Sequence, residues 1–115
     1  FMPHNLVVMK PGAREKLGPI VDKMSPEKFD GQGRAFVPDS PEILAATKLL
    51  EQGMKETLKL TAPSEEGIYE YVCTFPGHWP VMWGTLVVTR DVDDYLQKNP
   101  VAPNQPTLPD HGHLE

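Results

Sequence analysis

The stretch CTFPGHWPVM, residues 73–82, concentrates the residues with most chemistry to offer. It spaces Cys73, His78 and Met82 as Cys-x4-His-x3-Met. A thiolate, an imidazole and a thioether are soft or borderline ligands. Pro76-Gly77 supplies a tight turn, so a strand ending at Cys73 can have His78 folded back towards it. A second imidazole, His4, leads the apolar run HNLVVM. Two imidazoles and one thiolate in a trigonal set, with a weak axial thioether, make a copper site that exchanges single electrons. The thiolate binds both oxidation states strongly. The imidazoles suit Cu(II) and tolerate Cu(I), and the thioether favours Cu(I). One thiolate also keeps the charge of the site small in both states, so little has to reorganise around it.

Taken singly, these residues have plainer readings. A lone cysteine is more often a small buried hydrophobe, and a lone His or Met is more often part of a core or surface. The combination at fixed spacing outweighs those readings for Cys73, His78, Met82 and His4. Met2, Met9, Met24 and Met54 read as core, with Met2 close to the site, and His111 and His113 as tail residues. Glu65-Glu66 and Asp93-Asp94 read as solvated faces. Two other chemistries compete. Cys73 and His78 could form a nucleophile–base pair, but no oxyanion or substrate motif accompanies them and Met82 has no part in it. A copper storage or delivery protein is the alternative; such proteins favour exposed Cys-x-x-Cys or Met-rich sites, which this sequence lacks.

Composition narrows the field further. The 115 residues fit one domain, and a single cysteine excludes an internal disulfide framework. With 39% hydrophobic residues a packed core forms without one. A formal net charge of −5 argues against nucleic acid as a partner. No apolar run approaches the ~18 residues of a membrane span.

The elements that must position the donors follow from periodicity. Residues 6–9 read as a strand with His4, Leu6 and Val8 on one face and Val7 and Met9 on the other, both covered. Pro11-Gly12 ends it. Leu17, Ile20, Val21 and Met24 have helical spacing over 13–24, and Gly18-Pro19 should split or kink that helix. Residues 25–41 read as a surface excursion. Ser40-Pro41-Glu42 has the form of a helix start and predicts a short helical turn at 43–45. Strands are expected at 47–50, 54–61, 68–74 and 84–90, with Tyr69, Tyr71 and Cys73 sharing a face. Asp91 should cap a short helical turn over 91–98. Pro100, Pro103, Pro106 and Pro109 recur with the three-residue period of polyproline II, in a tail over 99–115 whose last two residues read as a cloning remnant.

On these residues the sequence resembles a known family. CTFPGHWPVMWGTL, residues 73–86, is similar to the azurin branch of the cupredoxins, and His4-Asn5, Thr47-Lys48-Leu49-Leu50 and 53–61 match as well. The resemblance spans roughly residues 2–89. It implies an all-β Greek-key cupredoxin sandwich over residues 1–90, with a helical excursion at about 11–46 and one type 1 copper ion. By position, His4, Cys73 and His78 are equatorial ligands and Met82 is axial, and the carbonyl of Pro3 stands where azurins add a weak axial contact. Asn5 and Thr74 match positions that tie the ligand loops together, and Asn5 and Phe75 those whose N–H groups face the sulfur. Met2, Trp79, Pro80 and Trp83 form a bulky rim suited to docking a partner.

The resemblance further implies a blue copper electron-transfer protein rather than an enzyme. Its partners would be redox proteins or attached redox domains, cytochrome-like or dehydrogenase, as in the cupredoxin domains of larger bacterial redox proteins. The setting would be periplasmic or otherwise extracytoplasmic, in a bacterium. Only Phe1-Met2-Pro3 precede His4, whereas azurin-like folds place strands there, so the expectation is a chain cut from a longer native one. Cys73→Ala or Cys73→Ser is expected to abolish the blue colour, whereas Met82→Leu should keep it with a raised reduction potential. Visible spectra and voltammetry of the copper-loaded variants check this, and an unchanged spectrum without Cys73 would sink the assignment.

Overall fold

Strand pairing around one short central segment sets the architecture. The computed structural model describes residues 3–25 and 34–100. Val7–Met9 (β1) lies between Ile43–Ala46 (β2) and Gly67–Val72 (β3), and Trp83–Val88 (β4) flanks β3 on its other side. All three pairings are antiparallel, in the order β2-β1-β3-β4. Val7 stands opposite both Ala46 and Val72. Opposed residues share a face, so these three, with Met9 two residues on, form one apolar row. All four are buried.

Helix α1, Ala13–Val21, belongs to the same hydrophobic cluster. Ala13, Leu17 and Val21 recur every fourth residue on its buried stripe. Leu17 and Ala13 join Val7, Met9, Ala46, Val72 and Val37 in a single core. Gly12 makes the turn from β1 into α1 with φ of 80°, a left-handed conformation that glycine adopts without a Cβ penalty.

Gly18-Pro19 does not split the helix as expected; α1 runs through it. Pro19 lies in the last turn, where its missing N–H forfeits one bond, to Glu15, with few residues left to disrupt. Gly18 has a separate reason to be there, because a Cβ would overlap the indole of Trp79.

Residues 43–45 are a strand rather than the expected helical turn. The Ser40 hydroxyl and carbonyl do accept the N–H groups of Glu42 and Ile43, each at 3.1 Å. That closes a turn, and pairing with the open edge of β1 then overrides the local start signal. The strand expected at 47–50 is correspondingly reduced to an isolated bridge between His4 and Leu50. Residues 54–61 form no strand, having no strand paired with them among the described residues. The other strands shift by one or two residues.

Face assignments also change. Val8 is buried while Leu6 is 39% exposed, and Tyr71 is 39% exposed between buried Tyr69 and Cys73. Tyr71 packs its ring over Gly84, where a side chain would collide with it. Asp91 caps α2, Val92–Lys98, accepting the N–H of Asp94 at 3.0 Å. No residue of α2 is buried, so local bonds such as the Lys98–Asp94 pair at 3.1 Å support it. The proline run beyond Pro100 and residues 26–33 of the expected surface excursion lie outside the described residues.

Gly18→Ala sets two effects against each other. Alanine favours the helix by ~1 kcal/mol, whereas forcing a methyl into a packed contact costs ~1–3 kcal/mol. The indole is fixed by its own hydrogen bond to Asp22, so the packing term should win. The expected result is a net loss of ~1 kcal/mol, read as a lower urea midpoint.

Candidate metal centre

Two distant segments are joined beside the donors. Asn5 Nδ2 donates to Thr74 Oγ1 at 2.8 Å, and the Thr74 N–H donates to Asn5 Oδ1 at 2.8 Å. The Thr74 hydroxyl in turn donates to the Phe36 carbonyl at 2.6 Å. All three residues are buried. His4 precedes Asn5 and Cys73 precedes Thr74, so this pair fixes the distance between the first imidazole and the thiol. On the other side, the Leu6 N–H donates to Thr47 Oγ1 at 2.9 Å, and His4 exchanges backbone bonds with Leu50 at 3.0 and 2.7 Å.

The loop after β3 brings back the second imidazole. Gly77 takes φ of 88°, and the His78 N–H donates to the Phe75 carbonyl at 2.9 Å. The His78 carbonyl accepts from Val81 and Met82 at 3.0 and 2.8 Å, and the Cys73 N–H donates to the Met82 carbonyl at 3.0 Å. Cys73 and Met82 are therefore locked across the neck of the loop.

The donor atoms of His4, Cys73 and His78 lie within 4.8 Å of one another. Cys73 Sγ stands 3.7 Å from His4 Nδ1 and 3.4 Å from His78 Nδ1. A first-row ion at typical bond lengths of ~2.0 Å to nitrogen and ~2.3 Å to sulfur holds a nitrogen and a sulfur roughly 3.5–3.7 Å apart at tetrahedral to trigonal angles. The cluster fits an ion shared by all three. Cys73 is 4% exposed, His78 is half-buried and His4 is exposed, so the sulfur is the shielded donor. The imidazole rings are 5.1 Å apart, and Phe75 packs against His78 at 5.1 Å with Phe36 edge-on behind it at 5.6 Å.

The remaining residues singled out in the sequence fall as follows. Met82 ends the loop with its side chain 39% exposed, and Pro3 is half-buried next to His4. Pro80 is exposed on the loop and Trp83 is exposed at the start of β4. Trp79 instead turns its ring onto α1, over Gly18 and against the core cluster. Met2 lies outside the described residues.

Four supporting residues were missed in the sequence: Phe36, Thr47, Arg14 and Asp22. Arg14 is buried on α1, donates to Glu70 at 3.3 Å and to the Trp79 carbonyl at 3.2 Å, and stacks over Trp83 with Cζ 4.0 Å from the ring centre. Its signal was legible: a charged residue three before Leu17 and seven before Val21 falls on the inward stripe of the helix. Asp22 and the Phe36 carbonyl carry no such signal.

Comparison with known proteins agrees with this geometry. The family described as copper binding proteins, plastocyanin/azurin family, matches residues 1–89. Azurin of Pseudomonas aeruginosa is 33% identical over 90 residues, covering 76% of this chain and 57% of the relative. Auracyanin-A of Chloroflexus aurantiacus is 34% identical over 86 residues, covering 74% of this chain and 50% of the relative. The chain thus spans about half the length of these relatives. Among solved structures, an azurin (Az-iso2) from Methylomonas sp. strain J superposes with a TM-score of 0.63 at 26% identity. That match covers 76% of this chain and 66% of the other. A dithionite-reduced auracyanin from Roseiflexus castenholzii gives 0.57 at 36% identity with the same coverage. With the antiparallel sheet, these superpositions make the fold an all-β cupredoxin fold, the class expected from the sequence.

Asn5→Ala should be costly even though it removes no donor of the cluster. It leaves the buried Thr74 N–H without its partner, a loss of ~1–3 kcal/mol. Denaturant unfolding of the metal-free protein should show that loss. Thr74→Val in the Asn5→Ala background should add less than it does alone, because the two residues form one network.

Proposed function

The chain belongs to the plastocyanin/azurin family of copper binding proteins, and on that premise we propose that this blue copper protein carries single electrons between redox partners. The observation that supports the reading best is the meeting of His4, Cys73 and His78 donors from two remote segments within 4.8 Å. In this reading His4, Cys73 and His78 would hold one copper ion, with the Met82 thioether and the Pro3 carbonyl as further, weak donors. Bound there, copper supplies a one-electron Cu(II)/Cu(I) couple.

The protein's own part is to hold the donors. Cys73 binds as the thiolate and so gives up its proton. Both histidines face the sulfur with Nδ1, which leaves Nε2 of each ring to carry the ring proton. Phe36 and Phe75 pack one side and limit water. The half-buried His78 is the edge through which an electron leaves, beside a rim of Pro80 and Trp83 that suits partner docking. Trp79, whose ring turns onto α1, serves that rim through its backbone only. No substrate bond is broken, so the function is not enzymatic. The partners are redox proteins or attached redox domains, cytochrome-like or dehydrogenase, in a bacterial, extracytoplasmic setting. Residues 1–90 act as the copper unit, with 91–98 and the tail 99–115 as appendages.

Storage or delivery is the competing role, and it needs a donor sulfur that a recipient can reach. Cys73 is 4% exposed, which favours retention. One equivalent of Cu(II) is expected to give an intense blue band that one electron equivalent bleaches and reoxidation restores, with copper retained throughout. Colourless binding, or release of copper on reduction to a modest Cu(I) chelator, would overturn electron transfer in favour of delivery. The checks are optical titration and metal analysis after each cycle.

A further inference from the structure

We propose that Asp22 is a positioning residue for His78, and that α1 braces the loop carrying that imidazole. The inference rests on reading His78 as a copper ligand. Asp22 ends α1, its backbone N–H bonded to the Gly18 carbonyl at 3.1 Å. Its carboxylate reaches across to the loop. Oδ1 accepts the Gly77 N–H at 3.0 Å, and Oδ2 accepts the indole Nε1–H of Trp79 at 2.9 Å. The two residues flanking His78 thus hang from one carboxylate. Both bonds are charge-assisted, the stronger kind.

The rest of α1 completes the brace. The Trp79 ring lies on Gly18, one turn before Asp22. Arg14, on the first turn, holds the Trp79 carbonyl at 3.2 Å. The His78 N–H and carbonyl are themselves engaged within the loop. The backbone on both sides of His78 is therefore fixed from one helix. His4 has separate support, from its bridge to Leu50 and from the Asn5–Thr74 pair. The two imidazoles stand on independent scaffolds, one a helix end and the other a β-bridge. A ligand oriented by its supporting contacts before the metal arrives keeps its geometry when the metal's charge changes.

This independence supplies the test, because His4 is the internal reference. Asp22→Ala, Asp22→Asn and Trp79→Phe are compared with the parent chain by NMR, first without metal. Asp22→Ala should speed exchange of the Gly77 amide about tenfold, the value of one charge-assisted bond. It should also broaden or split the His78 ring signals, while those of His4, whose ring is 5.1 Å away, shift slightly but stay sharp. Asp22→Asn keeps an acceptor for Gly77 and Trp79→Phe removes the indole donor, so each should give an intermediate effect. After copper loading, Asp22→Ala should shift and broaden the blue band, which a loss of global stability alone would not do. An ordered His78 ring in Asp22→Ala, or equal disturbance of both histidines, overturns the proposal. Should Asp22→Ala fail to fold, unchanged His78 signals in the other two variants overturn it. A parent chain that takes up no copper would instead defeat the ligand reading, and the metal-free measurements would still decide whether Asp22 orders His78.

Discussion

The reciprocal hydrogen bonds between Asn5 and Thr74 join residues 69 apart in sequence, and the geometry of the centre depends on them. Each residue sits one place after a donor, so fixing the pair fixes His4 relative to Cys73. Both are buried, where an unmade hydrogen bond is expensive and a made one is unscreened by water. The Phe36 carbonyl extends the network to a third segment and uses the remaining hydroxyl proton of Thr74. Phe36 itself holds φ of 60°, an uncommon conformation for a bulky residue that packing around it must sustain. A polar network in which every member is satisfied favours one arrangement over near alternatives. That is what a site of fixed donor geometry needs.

The apolar row of the sheet is closed by α1, which combines two kinds of work. Its apolar stripe seals the core. Its polar ends hold the ligand loop, through Arg14 at the start and Asp22 at the finish. Burying Arg14 is tolerable because each side of its guanidinium is engaged. Glu70 supplies opposite charge, the Trp79 carbonyl accepts a proton, and the Trp83 ring offers its π face. Trp79 and Trp83, which the sequence suggests as a common rim, therefore differ. The first is an internal strut, and the second is a half-open platform under a cation.

The donor set was legible because its chemistry is carried by residue types at short spacing: Cys73, His78 and Met82 on one loop, and the His4-Asn5 pair leading an apolar strand. Strand β1 was legible as a short apolar run, and β3 and β4 from alternation, for the same local reason. β2 was not, because Ser40-Pro41-Glu42 is a genuine local start signal that loses to the open edge of β1. The continuity of α1 through Pro19 was also missed, since a proline near the end of a helix disturbs little. The braces were the least legible part. Asp22 and Phe36 act through a carboxylate and a carbonyl whose partners lie far along the chain, and nothing in their neighbourhood marks them.

The donors differ in how far apart the chain places them, and this gives assembly an order. Cys73 and His78 are 5 residues apart, whereas Cys73 and His4 are 69 apart. Loop-closure entropy rises only logarithmically, yet the longer closure still costs about 2 kcal/mol more than the shorter. An unfolded chain can therefore present the thiol and one imidazole together long before the second imidazole arrives. A metal ion met at that stage finds two of the three clustered donors, in loose, local geometry. The pairing of β1 with β3 then delivers the third donor. Late tightening of the centre is thus a marker of sheet closure, and an ion captured early would favour the compact loop from which closure starts.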